Sequence, residues 1–123
     1  MKYSVICGVP VVRALDEPVA GASAAMELIA SLRYETDCEK MVLSKACLDE
    51  SFFRLSSGLA GEVLQKFVNY QMRLAIVGDF SRYTSKPLQD FIRESNQGSQ
   101  VGFLPTEEAA LDFLDPDKGL GSV

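Results

Sequence analysis

The stretch Ser56 to Ser81, SSGLAGEVLQKFVNYQMRLAIVGDFS, decides the fold. Leu59, Ala60, Val63, Leu64, Phe67 and Val68 recur at threes and fours, which is one apolar stripe of an amphipathic helix. Ser57 stands where a hydroxyl can accept a bond from an orphan amide of the first turn. Glu62 and Lys66 form an i, i+4 pair on the polar side, worth roughly 0.2–0.5 kcal/mol. After a short turn, Arg73 to Val77 is apolar from its second residue on and does not alternate, as expected of a central strand covered on both faces. Gly78 and Asp79 end that strand. A helix feeding a two-sided strand is the repeating unit of a parallel α/β sheet, and such sheets place their chemistry where strands end and helices begin.

Outward from this unit the pattern repeats. Lys2 to Cys7 alternates, Gly8-Val9-Pro10 reads as a turn, and Val11 to Leu15 is a second β-branched run, so the chain is expected to open with a hairpin. Ala25, Leu28, Ile29 and Leu32 mark a helix between about Gly21 and Tyr34. Met41 to Leu43 begins a third strand, and Leu48 to Phe53 is an irregular connection carrying two aromatics. Beyond Asp79, the turn to Ser85 leads into a helix with Pro87 in its first turn and the stripe Leu88, Phe91, Ile92 and Ser95. Gly98 is placed to stop it in a left-handed conformation. Val101 to Leu104 is a fifth strand. Thr106, Glu107 and Glu108 start a last helix with a capping hydroxyl and two acids at the positive end of its dipole. Ala110, Phe113 and Leu114 form its buried side.

The expected order is β-β-α-β-α-β-α-β-α. This is a single α/β domain over residues 1–114, with a five-stranded, mostly parallel sheet, helices on its faces and the first strand antiparallel to the second. Residues 115–123, DPDKGLGSV, lack apolar mass and read as a tail. A domain of 123 residues buries about two thirds of its unfolded surface around one core.

Composition narrows the function. The net charge is −5, from 17 acids and 12 bases, and no basic stripe forms, so nucleic acid is not an expected partner. No apolar run approaches the ~18 residues of a membrane helix. The N-terminus MKYSVICGVPVV is too short in its apolar part for a secretory signal, so the expected location is the cytoplasm. Three cysteines at irregular spacing show no metal or redox pattern. Cys7 and Cys47 lie in apolar contexts that predict packed thiols, whereas Cys38 lies in a polar turn.

The absence of histidine removes Ser-His triads, Cys-His dyads and imidazole metal sites. Neither a P-loop nor a Gly-x-Gly-x-x-Gly run is present. No cofactor, no metal ligand and no catalytic residue is therefore assigned. Asp49 and Asp79 both follow strands and could meet at one sheet edge, although acids there also serve as turn formers. Asp79 to Ser85, DFSRYTS, reads either as a strand-to-helix turn or as a partner-binding loop presenting Phe80, Arg82 and Tyr83.

The element order resembles that of the sulfate transporter and anti-sigma factor antagonist domain, abbreviated STAS. In its antagonist members a Ser-Ser-Gly-Leu turn opens the second helix, and the serine before the glycine is phosphorylated by a partner kinase. Here Ser56-Ser57-Gly58-Leu59 matches that core, with Leu55 where an acidic residue is usual, and the resemblance implies Ser57 as the modified position. A longer resemblance runs from Gly58 to Gly98 with the Phe52-Phe53 pair upstream. It is similar to the bacterial family catalogued as domain of unknown function 4180, which implies a small α/β protein and no established activity.

Together these observations point to a non-enzymatic regulatory or protein-interaction module of STAS-like type. It would bind a protein partner, or a second copy as a homodimer, through an edge comprising Ser56, Gly58, Asp79, Ser81, Arg82, Tyr83 and Ser85, switched by phosphorylation at Ser57. The alternatives are a small-molecule-binding domain using the same crevice and a histidine-free enzyme relying on Asp49 and Asp79.

Overall fold

The structure, a computed structural model, describes residues 2–115. Of the expected tail, all but Asp115 lies outside the described residues. Five strands, β1 (Lys2–Ile6), β2 (Val9–Ala14), β3 (Lys40–Ser44), β4 (Arg73–Val77) and β5 (Val101–Leu104), lie in the sheet in sequence order. β1 is antiparallel to β2, and all later neighbours are parallel. The helices are α1 (Ala22–Thr36), α2 (Leu59–Asn69), α3 (Lys86–Gln97) and α4 (Glu107–Leu114). The α/β architecture expected from the sequence is the one observed.

Alternation along the strands builds two cores. Val12, Met41, Leu43, Leu74, Ile76, Val101 and Phe103 point to one face, where α1, α2 and α3 supply Leu28, Ile29, Leu32, Val63, Phe67 and Leu88. Val11, Val42 and Ala75 point to the other, where Ala110 and Leu114 of α4 cover them. The intervening residues of β3 to β5 on this second face shrink from Val42 to Ala75 to Gly102, which lets α4 sit close. A Cβ at Gly102 would come within 2.8 Å of the Phe113 ring.

Two arginines hold α4 on that face. Arg13 of β2 donates to both Glu107 carboxylate oxygens at 2.9 and 2.8 Å, at the start of α4. At the other end, Arg73 of β4 donates to the Leu114 carbonyl at 2.8 Å and to the Phe113 carbonyl at 3.4 Å, satisfying acceptors at the negative end of the helix dipole. Thr106 caps the start as expected, accepting the Ala109 amide at 3.1 Å.

Local expectations fail at several places. The hairpin turns at Cys7 and Gly8, both with positive φ (54° and 79°), the signature of a two-residue turn that matches the strand twist. Val9 and Pro10 therefore belong to β2, and Cys7 is exposed instead of packed, while Cys47 is buried and Cys38 half-buried. Helix α2 begins one residue later than Ser57 allows for a cap, because Gly58 at φ 78° occupies the N-cap position. α3 ends at Gly98 with φ −91°, not in the left-handed region. Glu62 and Lys66 form no ion pair among the described residues, and Val68 is about half exposed at the margin of its stripe.

Candidate interaction site at the strand ends

β3 and β4 are adjacent and parallel, with Ser44 opposite Val77, so Lys45 and Gly78 leave the sheet side by side. Their closeness requires glycine: a Cβ at position 78 would lie 2.6 Å from the Lys45 Cβ. From there the chain makes three short 3-10 turns, Lys45–Cys47, Glu50–Phe53 and Leu55–Ser57. Val19, in the connection between β2 and α1, clips the end of the first turn through an isolated parallel bridge at Leu48, donating to the Cys47 carbonyl at 2.7 Å and accepting from the Asp49 amide at 3.0 Å. Asp49 then starts the second turn by accepting the Ser51 amide at 3.0 Å and the Ser51 hydroxyl.

The loop after β4 is built the same way. Asp79 accepts the Ser81 amide at 3.0 Å and the Ser81 hydroxyl at 2.6 Å, the Asx-type turn its position predicts. Ser85 occupies the N-cap position of α3 without a side-chain bond, and Gln89 reaches back to the Tyr83 carbonyl at 3.1 Å. Each aspartate is committed to its own serine, and no hydrogen bond joins Asp49 to Asp79 among the described residues.

Between the two loops lies a layered contact. Phe53 stacks on Tyr83 with ring centroids 5.0 Å apart and an interplanar angle of 16°. Phe80 packs 5.9 Å from Phe53 and edge-on, 5.5 Å, to Phe103, so an aromatic column runs from the core to the surface. At its outer end the Lys45 ammonium sits 5.3 Å from the Phe53 ring and 5.1 Å from the Tyr83 ring, and the Arg82 guanidinium 5.0 Å from Tyr83. Glu50 completes the layer, accepting the Tyr83 hydroxyl at 2.9 Å and pairing with Arg82. Phe80 and Tyr83 are half-buried by this packing, whereas the sequence alone presented them as exposed anchors. Arg82 remains solvent-facing at 62% exposure.

The electrostatics follow from these partners. The Tyr83 hydroxyl, then Arg82 and Lys45, outweigh partial desolvation and hold the Glu50 carboxyl below its ordinary value. Asp49 is lowered first by the Ser51 hydroxyl and then by its amide, and Asp79 likewise by Ser81. The bond to Glu50 raises Arg82. All three carboxylates are ionised at neutral pH, a state that serves hydrogen-bond acceptance and ion pairing, not proton donation. Burial raises the Cys47 thiol, which keeps it a neutral, packed group.

Two open grooves flank the Tyr83 ridge. One, about 460 Å³, is walled by Phe80, Tyr83, Gln89 and Ile92; the other, about 450 Å³, by Glu50, Phe53, Arg54, Arg82 and Ser85. Ser57 adjoins the second groove through Ser51. Its hydroxyl donates to the Ser51 carbonyl at 2.7 Å and accepts the Leu59 amide at 3.2 Å, tying the second 3-10 turn to the start of α2. Ser56, Ser57 and Gly58 are all exposed. Asp79, Ser81, Arg82, Tyr83 and Ser85 thus share one loop, and Ser57 reaches the same edge through Ser51. Arg82 and Lys86 pair with Glu50 and Asp90.

Sequence reasoning missed Lys45, Glu50 and Phe53. Their roles come from contacts to residues about thirty positions away, which no local periodicity encodes. Among the described residues no group of three or more His, Cys, Asp or Glu side chains is placed to hold a metal ion, and no helix is long and apolar enough to cross a membrane.

No curated protein and no solved structure matches the chain. A family model described only as a domain of unknown function, DUF4180, matches residues 7–114, nearly the whole described structure, and the chain belongs to that family.

Proposed function

We propose that this chain is a non-enzymatic regulatory module of STAS-like type that binds a protein partner through its strand-end edge. The supporting observation is the Tyr83 ridge: an aromatic column anchored in the core ends at the surface between two open grooves, crowned by Arg82, Glu50 and Lys45. Rigid aromatics with an adjacent arginine are the residue types that anchor protein contacts, and here packing has already fixed their rotamers. The commitment of Asp49 and Asp79 to local turns argues against catalysis by either. Ser57 is the switch of this reading. A phosphate there adds about −2 of charge beside the Arg54 and Ser51 groove without entering the core. The cytoplasm is the compartment in which a partner kinase would meet it.

Capture from native lysate by the wild-type chain and by Arg82→Glu, with both shown folded by circular dichroism, tests the proposal. A protein recovered by the wild type and lost with Arg82→Glu supports it; equal recovery by both, or none by either, rejects it. Phosphosite mapping of the native protein tests the switch, and a Ser57 that is never modified removes it. A second reading rests on groove size, since about 450 Å³ falls within the ~300–1,000 Å³ of small-molecule sites. Thermal stabilisation by a metabolite, abolished by Arg82→Glu, favours that reading over a protein partner.

A further inference from the structure

β1 and β5 are the two margins of the sheet, and each leaves a row of backbone groups without a neighbouring strand. β1 is blunted by its own sequence, since Lys2 and Ser4 are exposed and the register shifts between Lys2 and Tyr3. β5, Val-Gly-Phe-Leu, carries no charge and pairs with β4 in unbroken register. An apolar, regular margin of this kind is a template for a further strand.

The Leu74 amide donates to the Gln100 carbonyl at 2.9 Å and the Gly78 amide to the Leu104 carbonyl at 3.1 Å, so Val101 and Phe103 turn their backbone groups away from β4. Pro105, at the next outward position, has no N–H to offer. Phe103 is therefore the residue an added strand must pair with. Its place is taken by a side chain of the same molecule: Asn96, in the last turn of α3, accepts the Phe103 amide through Oδ1 at 2.6 Å and donates through Nδ2 to the Phe103 carbonyl at 3.1 Å. One carboxamide makes the two bonds that a residue of a neighbouring strand makes. Asn96, Gln97, Gly98 and Ser99 are exposed, so water would satisfy Phe103 if Asn96 were shortened. What the carboxamide adds is occupancy.

We infer that Asn96 is a plug on the sheet, closing the β5 margin against pairing with β5 of a second copy. Asn96 shares a wall of the 460 Å³ groove, yet the plug does not depend on the Tyr83 ridge having a partner. Sedimentation velocity and amide exchange on four proteins test it: the wild type, Asn96→Ala, Asn96→Lys, which loses both bonds but sets a charge on the margin, and Gly78→Ala, which lowers stability elsewhere. Asn96→Ala should form a heavier species than the wild type as concentration rises, while Asn96→Lys and Gly78→Ala should sediment as the wild type does. The Phe103 amide should be protected in the wild type, exchange at least about fivefold faster in dilute Asn96→Ala, and slow again as that variant associates. An Asn96→Ala protein that sediments as the wild type at every concentration overturns the inference, as does equal association of Asn96→Lys or Gly78→Ala. A Phe103 amide unprotected in the wild type overturns it without recourse to any variant.

Discussion

At the scale of single residues, the close approach of two loops sets the chemistry of the site, and glycine is where that approach is felt. A methyl at Gly78 would meet the Lys45 Cβ at 2.6 Å and its Cδ at 2.9 Å, next to the backbone and not at a flexible tip. Gly78→Ala should therefore cost about 1–3 kcal/mol in urea unfolding, as overpacking does. Gly61 is the opposite case. It lies in α2 with nothing within 4 Å of an added Cβ, so Gly61→Ala should be neutral or stabilising by up to about 1 kcal/mol. Glu50 makes a prediction about pH. Its folded pKa is below the ordinary 4.5, so its contribution is present above that value and is lost as pH falls through the folded pKa. The melting temperature of Glu50→Gln should lie below that of the wild type at pH 7, and the gap should shrink as pH falls below 4.5 and close once it has passed the folded pKa. A gap that persists at low pH would mean that Glu50 acts through packing and not through charge.

At the scale of elements, legibility in the sequence tracked how locally each element is determined. Arg73–Val77 and Val101–Leu104 were bounded correctly because an uninterrupted apolar run between turn residues has few other solutions. The start of α2 lies one residue later than a Ser57 cap would place it, because the left-handed Gly58 takes the cap position; the Ser57 hydroxyl still accepts the Leu59 amide of the first turn, as its chemistry predicts, while donating to the Ser51 carbonyl. Cys7 was expected inside because its neighbours are apolar. The two-residue turn it helps form holds it in solvent regardless of its own character. α4 shows an element whose docking depends on distant arginines. Only eight residues long, it is too short to be stable alone, and Arg73 supplies acceptor satisfaction at its C-terminal end. Arg73→Ala should destabilise the fold by about 1–3 kcal/mol and speed hydrogen exchange of α4 amides more than those of α2. Uniform acceleration in both helices would contradict a local role for Arg73.

At the scale of the whole molecule, the sheet runs in sequence order with three helices on one face and one on the other, so the carboxyl ends of β3 and β4 open onto a single edge. The sequence pointed to that edge through Ser57 and Asp79 to Ser85 but could not supply its centre. Lys45, Glu50 and Phe53 join it only when the parallel register brings β3 beside β4 and the 3-10 turns fold back over the Asp79 loop. In the proposed function this edge contacts a protein partner through Arg82. Quantitative mass spectrometry of native-lysate captures by wild type, Arg82→Glu and the surface control Glu108→Lys tests it most directly. One partner should be enriched equally by wild type and Glu108→Lys and depleted at least tenfold by folded Arg82→Glu, the loss of about 1.4 kcal/mol or more of binding. Equal enrichment by all three, or by none, would contradict it.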